Sequence, residues 1–166
     1  MQQLNLKDNL IDYNNLFIYD NYTGNLLWAN NTGRMLAGSL AGTLRKDGYV
    51  GIYLNGKYLF AHRVIWEMFN GPIPEGLFID HIDRIRNNNR IDNLRIGTFQ
   101  ENHFNRTKQS NNKSGFKGVC WHKKKWVSQI KIDGKNKFLG FFDTPEEAYK
   151  KYCEVAIERY GEFVRL

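Results

Sequence analysis

Eight consecutive residues, Lys108 to Gly115 (KQSNNKSG), contain no apolar side chain and end in glycine. Such a stretch has nothing to bury and reads as an exposed connection. It divides the chain into a first part, residues 1–108, a connection, 109–115, and a final part, 116–166. Charge divides at the same place. Residues 1–107 hold 11 Lys and Arg against 10 Asp and Glu, whereas residues 108–166 hold 13 against 7. Nearly all of the net charge of +7 therefore sits in the final third, which points to a polyanionic partner, most plausibly nucleic acid. Apolar residues make up 42% of the chain and aromatics 14%, enough for packed cores. No run approaches the roughly 20 apolar residues of a membrane span. The N-terminal MQQLNLKDNLIDYNN lacks the apolar centre of a signal peptide. Two cysteines, Cys120 and Cys153, cannot form a disulfide framework, so a reducing cytoplasm is the expected setting.

Turn signals and periodicity predict a mixed α+β chain. LFIYD and LLWAN flank an NYTGN turn, and GYVGIYL and KYLF flank Asn55-Gly56, a strong hairpin signal. His62 to Phe69 has helical spacing and stops at Asn70-Gly71-Pro72. A strand from Leu77 to Asp80 runs into His81, a polar loop spans Asp83 to Asp92, and a second strand spans Leu94 to Ile96. Thr98 and Glu101 have capping-box spacing, so a helix is expected over about 99–108, completing a ββα unit. After the connection come FKGVCW, the alternating WVSQIKI, and KFLGFF. A last helix starts at Thr144-Pro145-Glu146-Glu147 and stops at Gly161. Three strands on one helix leave one sheet face uncovered. In WVSQIKI that face carries Val127, Gln129 and Lys131, opposite Trp126, Ser128, Ile130 and Ile132.

An acid and a histidine adjacent at a strand end, with amides on the elements that follow, suit metal-assisted hydrolysis. Asp80 and Asn102 offer oxygen ligands of the kind a hard cation such as Mg²⁺ takes. Neutral imidazole at His81 suits proton transfer from water. The bland alternative for an Asp-His pair is a turn at a strand end, and isolated Asn residues are common in turns.

The stretch FIDHIDRIRNNNRIDNLRIGTFQEN, preceded by AHRVIWEMFNGPIPEGL, resembles the HNH endonucleases of the ββα-metal fold, in particular phage and intron-encoded homing endonucleases. The resemblance implies His81 as general base, Asp80 and Asn102 as ligands of one divalent cation, Mg²⁺ or Mn²⁺, and Asn93 as the residue that ties down the loop. It implies a structural place for His62. Many relatives carry Asp-Gly-Asn after Asp-His, where this chain has Asp83-Arg84-Ile85. His103 competes with Asn102 for the ligand role, but neighbouring helical residues diverge by about 100° and the family spacing favours Asn102. Arg95, Arg106 and Lys108 are candidates for phosphate contacts.

SGFKGVCWHKKKWVSQIKIDGKNKFLGFFDTPEEAYKKYCEVAIERYG resembles the Apetala-two (ethylene-response-factor) DNA-binding domain, which reads DNA with its sheet. That resemblance implies DNA contacts at or beside Lys117, His122, Gln129, Lys131, Asn136 and Phe138, while Lys123, Lys124 and Lys125, in the first hairpin turn, suit phosphate contacts. Lysine at positions where plant members carry arginine suits positioning more than base reading. Cys120, His122, His103 and Cys153 lack the C-x-x-C spacing of structural zinc. The expectation is thus an endonuclease that nicks or cuts double-stranded DNA, with no membrane partner and no small-molecule cofactor, working as a monomer or weak dimer. The alternatives are a DNA-binding regulator with an inactive HNH unit, or a low-specificity nuclease.

Overall fold

The structure, a computed structural model, describes residues 11–104 and 112–164. It is a mixed α+β chain of several small antiparallel sheets and few helices. Two compact units divide it: Met1–Glu75 with Ile79–Ile96, and Gly76–Phe78 with Gly97–Leu166.

In the first unit, a short helix α1 (Tyr13–Leu16) leads into strands β1 (Phe17–Asp20) and β2 (Asn25–Trp28). Phe17 pairs with Trp28 and Asp20 with Asn25, closing the hairpin expected around NYTGN. Strands β3 (Thr43–Leu44), β4 (Val50–Leu54) and β5 (Lys57–Phe60) form a three-stranded sheet in that order. Asn55 and Gly56 take φ of 48° and 81°, the left-handed pair a two-residue turn needs to match strand twist. Helix α2 (Ala61–Asn70) buries Ala61, His62, Val64 and Ile65, positions that share one face at helical spacing, and Gly71 stops it at φ 77°. Ala61, Val64 and Ile65 pack with Phe17, Leu26, Trp28, Ile52, Leu54 and Leu94 into the larger core. Each fully buried aliphatic there contributes about 2 kcal/mol.

Strand β6 (Leu77–His81) pairs with β7 (Leu94–Thr98), and a single 3₁₀ turn (Ile91–Asn93) precedes β7. Helix α3 (Phe99–Phe104) follows β7 directly. Glu101 accepts from Thr98 N at 2.7 Å and Glu101 N donates to Thr98 Oγ1 at 3.3 Å, the reciprocal cap the spacing predicts. The expected continuation to 108 and the first part of the connection lie outside the described residues.

In the second unit, β8 (Val119–His122), β9 (Lys125–Ile132) and β10 (Lys135–Phe142) form a sheet with β9 central, packed on helix α4 (Pro145–Tyr160). Thr144 and Glu147 cap α4 reciprocally, and Pro145 occupies its first turn. Ile130, Tyr152 and Ala156 form the core of this unit. On β9 the alternation holds for Ser128 and Ile130, but Val127, expected on the open face, is also buried. It lies in the central strand between its partners Cys120 and Phe141. Gly118, at φ 74°, passes so close to Tyr152 and to the Gln129 carbonyl that a Cβ there would clash with both.

Candidate active site and sheet face

His81 ends β6 and is only 4% exposed. Its Nε2 lies 3.0 Å from Oδ1 of Asn89, which is itself fully buried. An amide oxygen only accepts, so Nε2 carries the proton and Nδ1 is the basic nitrogen. The ring packs edge-on against His62 (5.1 Å between centroids) and tilted against Tyr49 (5.9 Å). Burial pushes the His81 pKa below the ordinary imidazole value, against opposing pulls from Asn89, Asp80 and Asp83. His62 is held down to about 3 by burial and by the neighbouring His81. Both rings are therefore neutral at pH 7.

Asp80, one residue earlier, meets Arg95 on β7. Arg95 Nε and Nη2 both donate to Asp80 Oδ2, at 3.1 and 3.0 Å, with both side chains largely buried. Arg95, expected on phosphate, is thus engaged by the carboxylate expected to ligate metal.

Asn93 closes the loop between β6 and β7. Its Nδ2 donates to Asp83 Oδ1 (2.9 Å) and to the Asn88 carbonyl (2.8 Å), and its Oδ1 accepts from Asp83 N (3.0 Å). Asn88 also donates to Asp83 Oδ2. Burial raises the Asp83 carboxyl, but the hydrogen bonds from Asn88, Ile85 N and Asn93 outweigh it and leave its pKa below the usual range. Arg84 adopts φ 69°, a left-handed conformation that glycine takes without strain. The hairpins hold the loop from outside. Ile91 N donates to Tyr19 Oη at 2.9 Å, Arg86 Nη1 donates to the Asp47 carbonyl at 2.8 Å while its guanidinium covers Tyr49, and Gly24 leaves no room for a Cβ beside Asn89 and Arg90.

Asn102 lies on α3, and its buried Oδ1 makes no hydrogen bond. Gly97 and Phe163 surround it, since a Cβ on Gly97 would meet Phe163 Cε1 at 2.8 Å and Asn102 Oδ1 at 3.1 Å. A carboxylate, at Asp80, and a buried amide oxygen without a donor, at Asn102, are each donor types that a hard divalent cation takes. Among the described residues no group of three or more His, Cys, Asp or Glu gathers around a metal position. A cation would complete its shell with water or substrate oxygens. Arg106 and Lys108, and the side chain of His103, lie outside the described residues.

Sheet register gathers most of the other candidates. Opposed residues of an antiparallel pair share a face. His122 opposes Lys125, Cys120 opposes Val127, Gln129 opposes Phe138, and Lys131 opposes Asn136. This puts His122, Lys125, Gln129, Lys131, Asn136 and Phe138 on the face away from Ile130 and α4. A register shift between Phe138 and Gly140 brings Phe141 to the same side, 4.9 Å from Phe138 between ring centroids, and both rings are exposed. Lys123 and Lys124 occupy the β8–β9 turn, Lys123 at φ 54°. Lys125 is paired with Asp143, and Gln129 reaches the Cys120 sulfur at 3.9 Å. Lys117 lies half-buried before β8. Both cysteines are free thiols.

Asn89, Tyr49 and Arg86 escape the sequence reading. Asn89 stands in an Asn-Asn-Asn run with nothing local to distinguish it, and its partner lies eight residues back. Phe141 escapes because the register shift that exposes it has no simple periodic signal.

Residues 59–104, which include all four of the residues His81, Asp80, Asn93 and Asn102, match the sequence model of the HNH endonuclease family. Protein 3.8 of Escherichia phage T7 is 37% identical over 106 residues, 63% of this chain and 87% of that protein. An uncharacterized HNH endonuclease, L560, of Acanthamoeba polyphaga mimivirus is 36% identical over 121 residues, 72% of this chain but only 63% of that one. Among solved structures, the HNH homing endonuclease I-HmuI, described for its DNA binding and cleavage, aligns over 87% of this chain and 77% of its own. That alignment has a TM-score of 0.42 and 24% identity. With the family's sequence model spanning the Asp-His strand, the loop and α3, and a relative matched over most of its length, the chain belongs to the HNH endonuclease family.

Proposed function

We propose that the chain is a divalent-metal-dependent DNA endonuclease. In this reading residues 1–108 carry the chemistry, 109–115 connect, and 116–166 form an Apetala-two-type module that positions DNA. The observation that carries it is the His81–Asn89 pair beside Asp80, in a member of the HNH family. Asn89 fixes Nε2 as the donor, so Nδ1 of His81 takes the proton from the attacking water. The depressed basicity keeps the imidazole neutral and ready as a base at pH 7. Asn93 holds the loop in which Asn89 sits, so the base keeps its orientation through turnover.

Asp80 and Asn102 are the oxygen donors assigned to one Mg²⁺ or Mn²⁺. Such a cation supplies charge neutralisation for the phosphate and the leaving 3′-oxygen. The products are a 5′-phosphate and a 3′-hydroxyl. One site cuts one strand, so a monomer nicks and a double-strand break takes a weak dimer or two events. On the second unit, the Lys123–Lys125 turn suits phosphates, and Gln129, Lys131, Asn136 and Phe138 suit the groove.

The test is supercoiled plasmid carrying the cognate site, incubated with Mg²⁺ or Mn²⁺, with and without chelator. Native protein is expected to give open circles, and His81→Ala to reduce the rate by at least about a hundredfold. Binding without cutting under all these conditions would leave a DNA-binding regulator and overturn the enzyme reading.

A further inference from the structure

We infer that Arg95 is the resident counter-ion of Asp80 and opposes a divalent cation at that carboxylate until DNA phosphate draws the guanidinium away, so that metal and DNA phosphate bind cooperatively. The inference rests on the reading of Asp80 as a metal ligand. Two Arg95 N–H groups converge on one oxygen of Asp80, and the two side chains are only 11% and 16% exposed. In so dry a setting their charges interact with little screening by water. A guanidinium has donors only, so it satisfies the carboxylate but contributes nothing to a cation.

The charge balance then fixes the order of events. The carboxylate and guanidinium cancel. A divalent cation arriving alone at Asp80 meets the positive charge of the guanidinium that already holds that carboxylate. A DNA phosphodiester resolves this conflict, because its two free oxygens suit the guanidinium fork at least as well as the single Asp80 oxygen does. Metal therefore replaces Arg95 at Asp80 while phosphate replaces Asp80 at Arg95. Each ligand removes the obstacle to the other, and by linkage the assistance is equal in both directions. The site stays ion-paired and metal-poor until DNA arrives, which restrains chemistry on other phosphates.

The experiment measures Mn²⁺ binding to the full chain by electron paramagnetic resonance at fixed ionic strength. Without DNA, Arg95→Gln is expected to bind Mn²⁺ on the order of tenfold more tightly than the native protein, and Arg95→Lys to stay near the native value. Duplex affinity, measured in a His81→Ala background that leaves the DNA intact, is expected to rise on the order of tenfold with Mn²⁺. That rise should largely vanish when Arg95→Gln is added. Equal or weaker Mn²⁺ binding by Arg95→Gln would overturn the inference and make Arg95 a positioning residue for the carboxylate. Should Arg95→Gln fail to fold, the His81→Ala protein alone decides: no gain in duplex affinity with Mn²⁺ overturns the inference. Asp80→Asn separates the two levels of the argument. If it keeps native Mn²⁺ affinity, the metal assignment to Asp80 is what fails, irrespective of Arg95.

Discussion

His62 shows how a single buried imidazole makes stability depend on pH. It is 7% exposed, its Nδ1 makes no hydrogen bond, and Tyr49, Phe60 and His81 surround its ring. Its pKa is about 3 in the folded chain against 6.5 when unfolded. Between those values the unfolded chain binds a proton that the folded chain refuses, so stability rises with pH. It is fully present above about 6.5 and is lost as pH falls towards 3, at up to about 1.4 kcal/mol per pH unit. Urea unfolding midpoints are expected to fall from pH 7 to pH 4, and His62→Phe to flatten part of that fall. An unchanged slope would mean that His62 is not the group responsible. At this scale the sequence was informative where chemistry is written locally. Asp80 and His81 stand out because an acid and a base are adjacent at a strand end. Asn89 does not, because only the closed loop brings it to His81.

The elements that could be read ahead of the structure are those with a signal in their own residues. Asn55-Gly56 specifies its turn, Thr144 to Glu147 specifies the start of α4, and the spacing over His62 to Phe69 specifies α2. The two-residue strand β3 and the register shift in β10 have no such signal, since tertiary pairing creates them. The loop after β6 is a mixed case. Arg84 N donates to the His81 carbonyl at 3.0 Å, closing a turn in which Arg84 sits at φ 69°. A left-handed conformation costs a residue with a Cβ about 1–2 kcal/mol, partly offset by the extra freedom glycine loses on folding. Arg84→Gly is therefore expected to stabilise the protein by about 0.5–1 kcal/mol, read as a rise in melting temperature of a few degrees. A lower melting temperature would show that the Arg84 side chain contributes more than its backbone strain removes.

For the whole molecule, charge and chemistry are placed apart along the chain. The near-neutral first part holds Asp80 and His81, and the Lys-rich final part holds the exposed Phe138 and Phe141 face. Lys123, Lys124 and Lys125 make this measurable. Each phosphate neutralised releases about 0.9 counterion, but Lys125 already pairs with Asp143. Changing all three to Ala is expected to weaken DNA binding and lower the salt slope by roughly 2, not 3. An unchanged slope would remove the turn from the DNA interface. The location of the excess charge was legible in the sequence from a count alone. The division into compact units has no local signal: the chain passes between them just before β6, within β6 and again within β7. Gly97, Asn102 and Phe163 belong to the same unit, and the ring of Phe163 fills the space a Cβ on Gly97 would take. The polar segment at 109–115 looks like a natural point for recombination, where a lineage could exchange one C-terminal tail for another. The Phe163 wedge makes such an exchange less neutral than the segment suggests. A new tail would have to bring its own aromatic plug for Gly97, or leave the strand and helix that present Asn102 with a hole behind them.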